Sequence, residues 1–280
     1  MNALEIRGLS KSFGDFELKD IDLVLPEGCI MGLIGENGAG KSTTIKLILD
    51  MIDRDAGSVK ILGRDNKESV LIKNDIGVVP DTLGIPDCFT AKQLGKVLKN
   101  IFTNWDDAVY ASYLKKLELP EDREFKELSK GMKMKLGIAA AMSHHPKLLI
   151  LDEATSGLDP VVRDEVVEMF GEFTRDESHS VLMSSHIVSD LEKVCDYIAF
   201  LHRGRLLLCE EKDVLKESWV QLRCTEEQLS ALPAGAVLGK KITPYGVEAL
   251  VRRESVPAGI PFSPAELEQI FIYTVKGARA

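Results

Sequence analysis

The chain lacks a long apolar run. No segment approaches the ~18 consecutive apolar residues that crossing a membrane as a helix requires. The longest glycine-and-apolar stretch is Gly28–Gly35. Work at a membrane would therefore need something else to hold the chain there. The first residues, MNALEIRGLSKSFG, show no apolar stretch behind a basic start, so no signal peptide is expected. Cysteine is sparse. Cys29, Cys88, Cys195, Cys209 and Cys224 are odd in number, widely spaced and without a CxxC pair. That pattern points to free thiols in a reducing compartment, against a disulfide framework or a zinc site. An excess of basic charge is missing too. Against 44 acidic residues stand 35 Lys and Arg, a net charge of −9, which counts against a nucleic-acid binder with a basic domain or stripe.

What is present suffices for a sizeable core. The chain has 280 residues, 45% hydrophobic and 28% charged, enough for one large domain with or without a small appendage. Ala3–Leu9 and Phe16–Leu25 read as strands joined by a Lys-Ser-Phe-Gly-Asp turn. Cys29–Ile34 is a short continuous apolar run, as expected of a buried strand. Ser42–Asp50 has helical spacing, and Val59–Leu62 and Ile76–Val79 are short strands. Apolar spacing is helical from about Thr90 to Lys116 and again over Met132–Ser143. Leu148–Leu151, Val181–Ser184 and Tyr197–His202 read as strands, Val161–Thr174 and Ile187–Cys195 as helices, and Arg203-Gly204 as a hairpin turn into Leu206–Cys209. Alternation of strands and helices to about residue 215, with antiparallel strands near the start, predicts an α/β domain with a mainly parallel sheet and an antiparallel flank. After about Lys216 prolines and glycines punctuate the chain. Trp219–Cys224 and Val247–Arg253 read as strands, and Ser263-Pro264-Ala265-Glu266 as a helix start. Residues 216–280 are therefore expected to form a small α+β appendage, ending in a helix near Val275.

Gly35-Glu36-Asn37-Gly38-Ala39-Gly40-Lys41-Ser42 fits GxxxxGK[ST] without a mismatch, between an apolar strand and a helix. Glycines let the backbone curl around phosphate oxygens with its N–H groups turned inward, and the helix N-terminus adds positive potential. Lys41 would reach the β- and γ-phosphates, and Ser42 would place its hydroxyl on Mg²⁺. By itself this loop specifies only a nucleoside triphosphate and Mg²⁺.

Leu148–Leu151 runs into two adjacent carboxylates, Asp152 and Glu153. Neighbouring side chains on a strand point to opposite sides, so the two should not share one role. Asp152 is assigned to the metal and Glu153 to the attacking water. His186 follows another apolar strand, where a neutral imidazole could hydrogen-bond the γ-phosphate or that water. His144-His145, beside Pro146, reads as a helix end, and neither this pair nor His179 is assigned a ligand role.

The order of these elements resembles the nucleotide-binding subunit of ABC transporters: GENGAGKST at 35–43, LSKGM at 128–132, LLILDEATSGLDP at 148–160, then His186. The resemblance covers roughly residues 3–215. It implies a P-loop NTPase core over 1–215 with a helical subdomain at about 82–145. Gly35–Thr43 is then similar to Walker A (Gly35, Glu36, Asn37, Gly38, Ala39, Gly40, Lys41, Ser42 and Thr43 around ATP). Asp152 corresponds to the end of Walker B, Glu153 to the catalytic glutamate, Ser156–Asp159 to the D-loop and His186 to the switch histidine. Phe13 stands where the family stacks an aromatic on adenine; the plain alternative is a core phenylalanine beside a turn.

Two departures stand out. The signature usually reads LSGGQ, and here Lys130 replaces a glycine and Met132 a glutamine, while Ser129 and Gly131, the expected phosphate contacts, are kept. Asp81 stands in place of the Q-loop glutamine. A carboxylate can approach Mg²⁺ but does not donate hydrogen bonds as an amide does unless protonated.

The family sandwiches ATP between two subunits, the Walker residues of one facing the signature of the other. With one Walker A and one signature, this chain is expected to need a second ATPase subunit, identical or not. Transport would need a separate transmembrane permease, docked near Thr82–Asn104, with the chain peripheral at the inner face of the cell membrane. The LSKGM variant and the short C-terminal appendage resemble bacterial export-type ABC ATPases. The alternative is a soluble ABC ATPase acting on nucleic acid or ribosomes. Those usually carry long coiled coils, zinc modules or two ATPase domains, which this sequence does not show, and no nucleic-acid partner is expected. A binding module with a dead site is disfavoured because the whole hydrolytic set is present.

The stretch LSKGMKMKL, Leu128–Leu136, alternates apolar and basic residues from Met132 as a strand would. A window extended through Met142 favours a helix with Ser129-Lys130-Gly131 at its N-terminus, where amides and dipole favour an anion. Lys130 is expected to strengthen the salt-sensitive part of ATP-driven dimerisation.

Overall fold

The computed structural model describes residues 1–67, 70–244 and 246–278. Strands β1 (Asn2–Phe13) and β2 (Phe16–Pro26) form an antiparallel pair whose ladder reaches Phe13 opposite Phe16. The expected five-residue turn is therefore only Gly14-Asp15, and Lys11–Phe13 belong to the strand. Register shifts around Leu9 and Lys11 let β1 continue past the point where its alternation breaks down.

Next come β3 (Ile30–Ile34), α1 (Lys41–Ile48), β4 (Ala56–Ile61), the two-residue β5 (Arg64–Asp65) and β6 (Ile76–Val79). Three helices follow: α2 (Ala91–Lys99), α3 (Asp107–Lys116) and α4 (Lys130–Met142). The helical spacing over Thr90–Lys116 thus resolves into two helices. Thr90 and Gln93 form a capping box on α2, and the Asp106 carboxylate accepts from the Ala108 and Val109 amides to start α3 afresh.

Strand β7 (Leu148–Asp152) leads through α5 (Pro160–Phe173), β8 (Ser180–Ser185) and α6 (Val188–Val194) to the hairpin β9 (Tyr197–His202) and β10 (Arg205–Glu211). The remainder comprises α7 (Lys212–Ser218), β11 (Trp219–Cys224), α8 (Glu226–Ser230), β12 (Val237–Thr243), β13 (Gly246–Arg252), β14 (Phe262–Pro264) and α9 (Leu267–Gly277).

Among the described residues three sheets result, ordered β2-β1-β4-β5, β10-β9-β3-β8-β7-β6 and β12-β13-β11-β14. In the second, β9, β3, β8, β7 and β6 run parallel and β10 closes the edge antiparallel. Every residue of β3, β7 and β8 is buried, the physical reason these strands read as continuous apolar runs. The two faces still separate by alternation. Met31, Leu33, Leu148, Ile150 and Leu182 pack toward the antiparallel sheet and α1. Ile30, Ile34, Leu149, Leu151, Val181 and Met183 pack toward the helices, with Val166 and Phe170 of α5. Full burial of a side chain such as Phe170 stabilises the fold by about 1.5–3 kcal/mol.

The C-terminal elements have a small core of their own around Val220, Leu222, Leu229 and Val251. Leu267 and Ile270 of α9 instead join the larger helical-side core, where Phe271 meets Phe200 edge-on at 5.2 Å. The expected helix start at Ser263-Pro264 is corrected. Phe262–Pro264 is β14, paired with β11, and α9 begins at Leu267 behind a Glu266–Gln269 capping box. The unpaired edge of β11 outweighs the local start signal. Among the described residues, no helix is long and apolar enough to cross a membrane.

Candidate active site

Parallel strands place their C-terminal ends on one edge of the sheet, where α/β folds bind ligands. In the order β3-β8-β7, that edge carries the phosphate loop, then Ser184 and His186, then Asp152 and Glu153. Sequence-distant groups become neighbours for this reason.

The loop is built as the GxxxxGK[ST] pattern requires. A Cβ on Gly35 would stand 2.5 Å from the Leu201 carbonyl oxygen, so only glycine fits. Gly40 takes a φ of 111° as the N-cap of α1, which no other residue adopts cheaply. Lys41 is 5% exposed. Its Nζ donates to the Gly35 carbonyl at 2.7 Å and the Glu36 carbonyl at 3.4 Å, and it lies 3.0 Å from Glu153 Oε1. Ser42 and Thr43 sit half-buried in the first turn of α1.

The two carboxylates diverge, but not through strand alternation. Strand β7 ends at Asp152, and Glu153 takes a left-handed φ of 54° that turns the chain. Asp152 is buried, and its Oδ1 accepts from Ser184 Oγ at 2.7 Å. The Glu153 amide donates to the same Ser184 hydroxyl at 3.1 Å. Glu153 Oε2 lies 2.7 Å from His186 Nδ1. Ser184 thus joins both acids. In the sequence it was only the polar end of an apolar strand.

Of the expected site residues, Lys41, Glu153 and His186 are brought into direct contact. Ser129 is the N-cap of α4, its hydroxyl accepting from the Met132 amide, so Lys130 and Gly131 lie in the first turn of that helix. Neither Ser129 nor Gly131 makes a hydrogen bond to residues 35–43 among the described residues. Lys130 is exposed, and its flexible side chain extends over Gly157 of its own chain. Asp159 caps α5 through the Val161 and Val162 amides. Asp81 is exposed beyond β6 and makes no hydrogen bond or ion pair among the described residues. Phe13 is 49% exposed with Lys11 Nζ 5.5 Å above its ring, so the core alternative for this aromatic fails.

Sequence reasoning missed Arg163, whose guanidinium donates to the Leu158 carbonyl at 3.1 Å and approaches buried Asp190 of α6 at 3.7 Å. It thereby connects the turn before α5 to the helix after His186. His144 is buried and stacked on Phe102 at 3.9 Å, with Nε2 3.1 Å from the Ile76 carbonyl. Burial holds its pKa below the ordinary imidazole value.

The residues fit a magnesium nucleotide. A loop of left-handed glycines at a helix start, a buried ammonium and a buried acid beside a serine hydroxyl supply donors for phosphate and oxygens for a hard cation.

Comparison with known proteins agrees. A model of the ABC transporter family matches residues 18–156. The ABC transporter ATP-binding protein YtrB of Bacillus subtilis (strain 168) is 30% identical over 289 residues, covering 99% of this chain and 99% of that protein. The lantibiotic transport ATP-binding protein SrtF of Streptococcus pyogenes is 35% identical over 213 residues, 75% of this chain and 91% of its own length. A solved structure of an ATP binding subunit of an ABC transporter superposes with a TM-score of 0.69 at 28% identity, over 76% of this chain and 92% of that one. With the phosphate loop, the acid pair and the histidine gathered on one sheet edge, the chain belongs to the ATP-binding subunits of ABC transporters and is an ATPase.

Proposed function

We propose that this chain hydrolyses ATP at the Lys41–Glu153–His186 cluster and powers a separate permease, in the export direction. The single observation that carries the catalytic part is the Glu153 carboxylate held between Lys41 and His186. Gly35–Thr43 cradles the phosphates, with Lys41 as the cation that meets developing charge. Glu153 orients and deprotonates the attacking water, and His186 holds Glu153 and the γ-phosphate in register. Ser42 and Asp152, held by Ser184, would hold Mg²⁺, which when bound neutralises charge on the β- and γ-phosphates. Asp81 stays a candidate for the outer side of that ion. Phe13 offers its exposed face to adenine.

A second ATPase subunit completes the site. Ser129 and Gly131 are absent from the Lys41 cluster of their own chain, and Gly131 packs toward Val162 of α5 instead. Their phosphate contacts therefore come from a facing subunit, together with Asp159.

An apolar groove of about 510 Å³ lies between the sheet and the helices of residues 82–145, lined by Ile48, Met51, Leu83, Leu98, Ile101 and Phe102 among others. Met51 and Ile101 are 65% and 61% exposed on it. This groove borders the Thr82–Asn104 region and suits an apolar helix of the permease. A relative named for export, the Nod factor export ATP-binding protein I of Rhizobium sp. (strain N33), 34% identical over 212 residues, favours export here.

Residues 216–280 act as packing support. Phe271 seats on Phe200, Lys216 Nζ reaches Glu192 Oε1 at 2.5 Å, and α9 packs against α6, the helix that follows His186.

The test is phosphate release by the full chain. Loss in Lys41→Ala, with stimulation by membranes carrying a co-encoded permease, supports the reading. Stimulation by DNA or ribosomes and not by such membranes overturns it.

A further inference from the structure

The phosphate loop is backed by the β9–β10 hairpin at three points. Leu201 presents its carbonyl to Gly35. The Gly204 amide donates to the Ala39 carbonyl at 2.9 Å. His202 Nδ1 lies 3.2 Å from Glu36 Oε2. The hairpin itself is fixed. Arg203 and Gly204 both have positive φ, 46° and 74°, the two-residue pattern that matches strand twist. The Lys19 amide of β2 donates to the Gly204 carbonyl at 2.8 Å, and any Cβ on Gly204 would overlap the Glu17 carbonyl.

His202 is the polar member of this backing and is 5% exposed. Neither ring nitrogen makes a hydrogen bond among the described residues, and the Glu36 carboxylate is the charged group that stands at ion-pair distance from Nδ1. A buried imidazole with a single polar neighbour is costly unless that neighbour is engaged. The neighbour is the side chain of Glu36, whose own carbonyl lies 3.4 Å from Lys41 Nζ. Fixing the Glu36 side chain therefore fixes one of the carbonyls that hold the loop lysine.

We propose that His202 is a positioning residue for ATP binding: by facing Nδ1 to the Glu36 carboxylate at ion-pair distance it sets the first turn of the phosphate loop and the placement of Lys41. Either the neutral Nδ1–H tautomer or the imidazolium turns a proton toward this carboxylate. The inference rests on the reading of Gly35–Thr43 as the phosphate cradle.

The test is equilibrium binding of ATP to the full chain. His202→Leu should weaken ATP about fivefold, the size expected for one polar contact to a charged group acting indirectly. His202→Gln, whose amide N–H reaches the same carboxylate, should recover most of the loss. Combined with Glu36→Ala, His202→Leu should add nothing to the effect of Glu36→Ala alone. Wild-type affinity in His202→Leu, equal losses in the Leu and Gln variants, or multiplying effects in the double variant would each overturn the proposal. If His202→Leu does not fold, the Gln variant in the presence and absence of Glu36→Ala decides: wild-type affinity in Glu36→Ala sinks the proposal. Lys41→Ala separates the two readings. If it abolishes ATP binding while His202→Leu does not weaken it, the cradle stands and His202 has no part; if Lys41→Ala binds ATP as wild type does, both fall.

Discussion

Glu153 bridges Lys41 and His186: Lys41 Nζ lies 3.0 Å from one carboxylate oxygen, and His186 Nδ1 lies 2.7 Å from the other. The acid thereby holds the loop cation and the histidine in one cluster. A γ-phosphate binding there competes with Glu153 for the Lys41 ammonium.

Glu153→Gln removes that competing charge and the base together. ATP affinity should be equal to the wild type or a few-fold tighter, while turnover falls by about 10²-fold or more. ATP titration and phosphate release measure the two effects, and the variant should accumulate as a closed dimer on size exclusion. Wild-type turnover would discard the assignment.

His186→Ala leaves the Lys41–Glu153 pair in place but frees one carboxylate oxygen. Turnover should drop by about tenfold to a hundredfold, with ATP binding retained. A matching loss of ATP affinity would show that His186 serves binding instead.

Lys130→Gly restores the residue usual at this position of the signature. Lys130 is exposed and its ammonium lies over Gly157, so the charge sits on the face expected to meet the second subunit. The salt dependence of ATP-driven dimerisation should become shallower by about one charge's worth of screening. Light scattering across a salt series reads this, and an unchanged slope argues against it.

Ile101→Glu puts a carboxylate on the apolar groove. Co-purification with a co-encoded permease should fall by about tenfold or more, since an unpaired buried charge costs several kcal/mol. Undiminished co-purification with a wild-type melting temperature would place the permease elsewhere.

His144 gives a pH test. Burial lowers its folded-state pKa, so between that value and the unfolded value of about 6.5 the unfolded chain binds the extra proton. Stability therefore rises with pH through this window and is lost as pH falls below about 6.5. His144→Gln keeps a donor toward the Ile76 carbonyl and does not titrate. Its melting temperature should fall less between pH 7 and pH 5 (both about, as set by the imidazole range) than that of the wild type. Parallel curves would remove His144 from the account.

The stretches most legible in the sequence are those whose local pattern and tertiary role agree. Ile76–Val79, Tyr197–His202 and Trp219–Cys224 fall where alternation or an apolar run placed them, because a strand covered on both faces reads as an apolar run and a strand covered on one face alternates apolar with polar residues. Phe262–Pro264 went the other way: its Ser-Pro helix signal lost to the hydrogen-bonding edge of β11.

The sequence alone determined the chemistry on offer: a phosphate loop, two acids ending an apolar strand, and a histidine ending another. Spacing and residue type suffice for that, since each motif is local. Only the tertiary structure decided who touches whom. The order β3-β8-β7 brings Lys41, Glu153 and His186 together, and a left-handed turn at Glu153, not strand alternation, parts its side chain from that of Asp152. The same folding seats His202 against Glu36 across 166 residues of chain, counted from 202 less 36. Contacts of that range depend on how strands are ordered in the sheet, which no local pattern encodes.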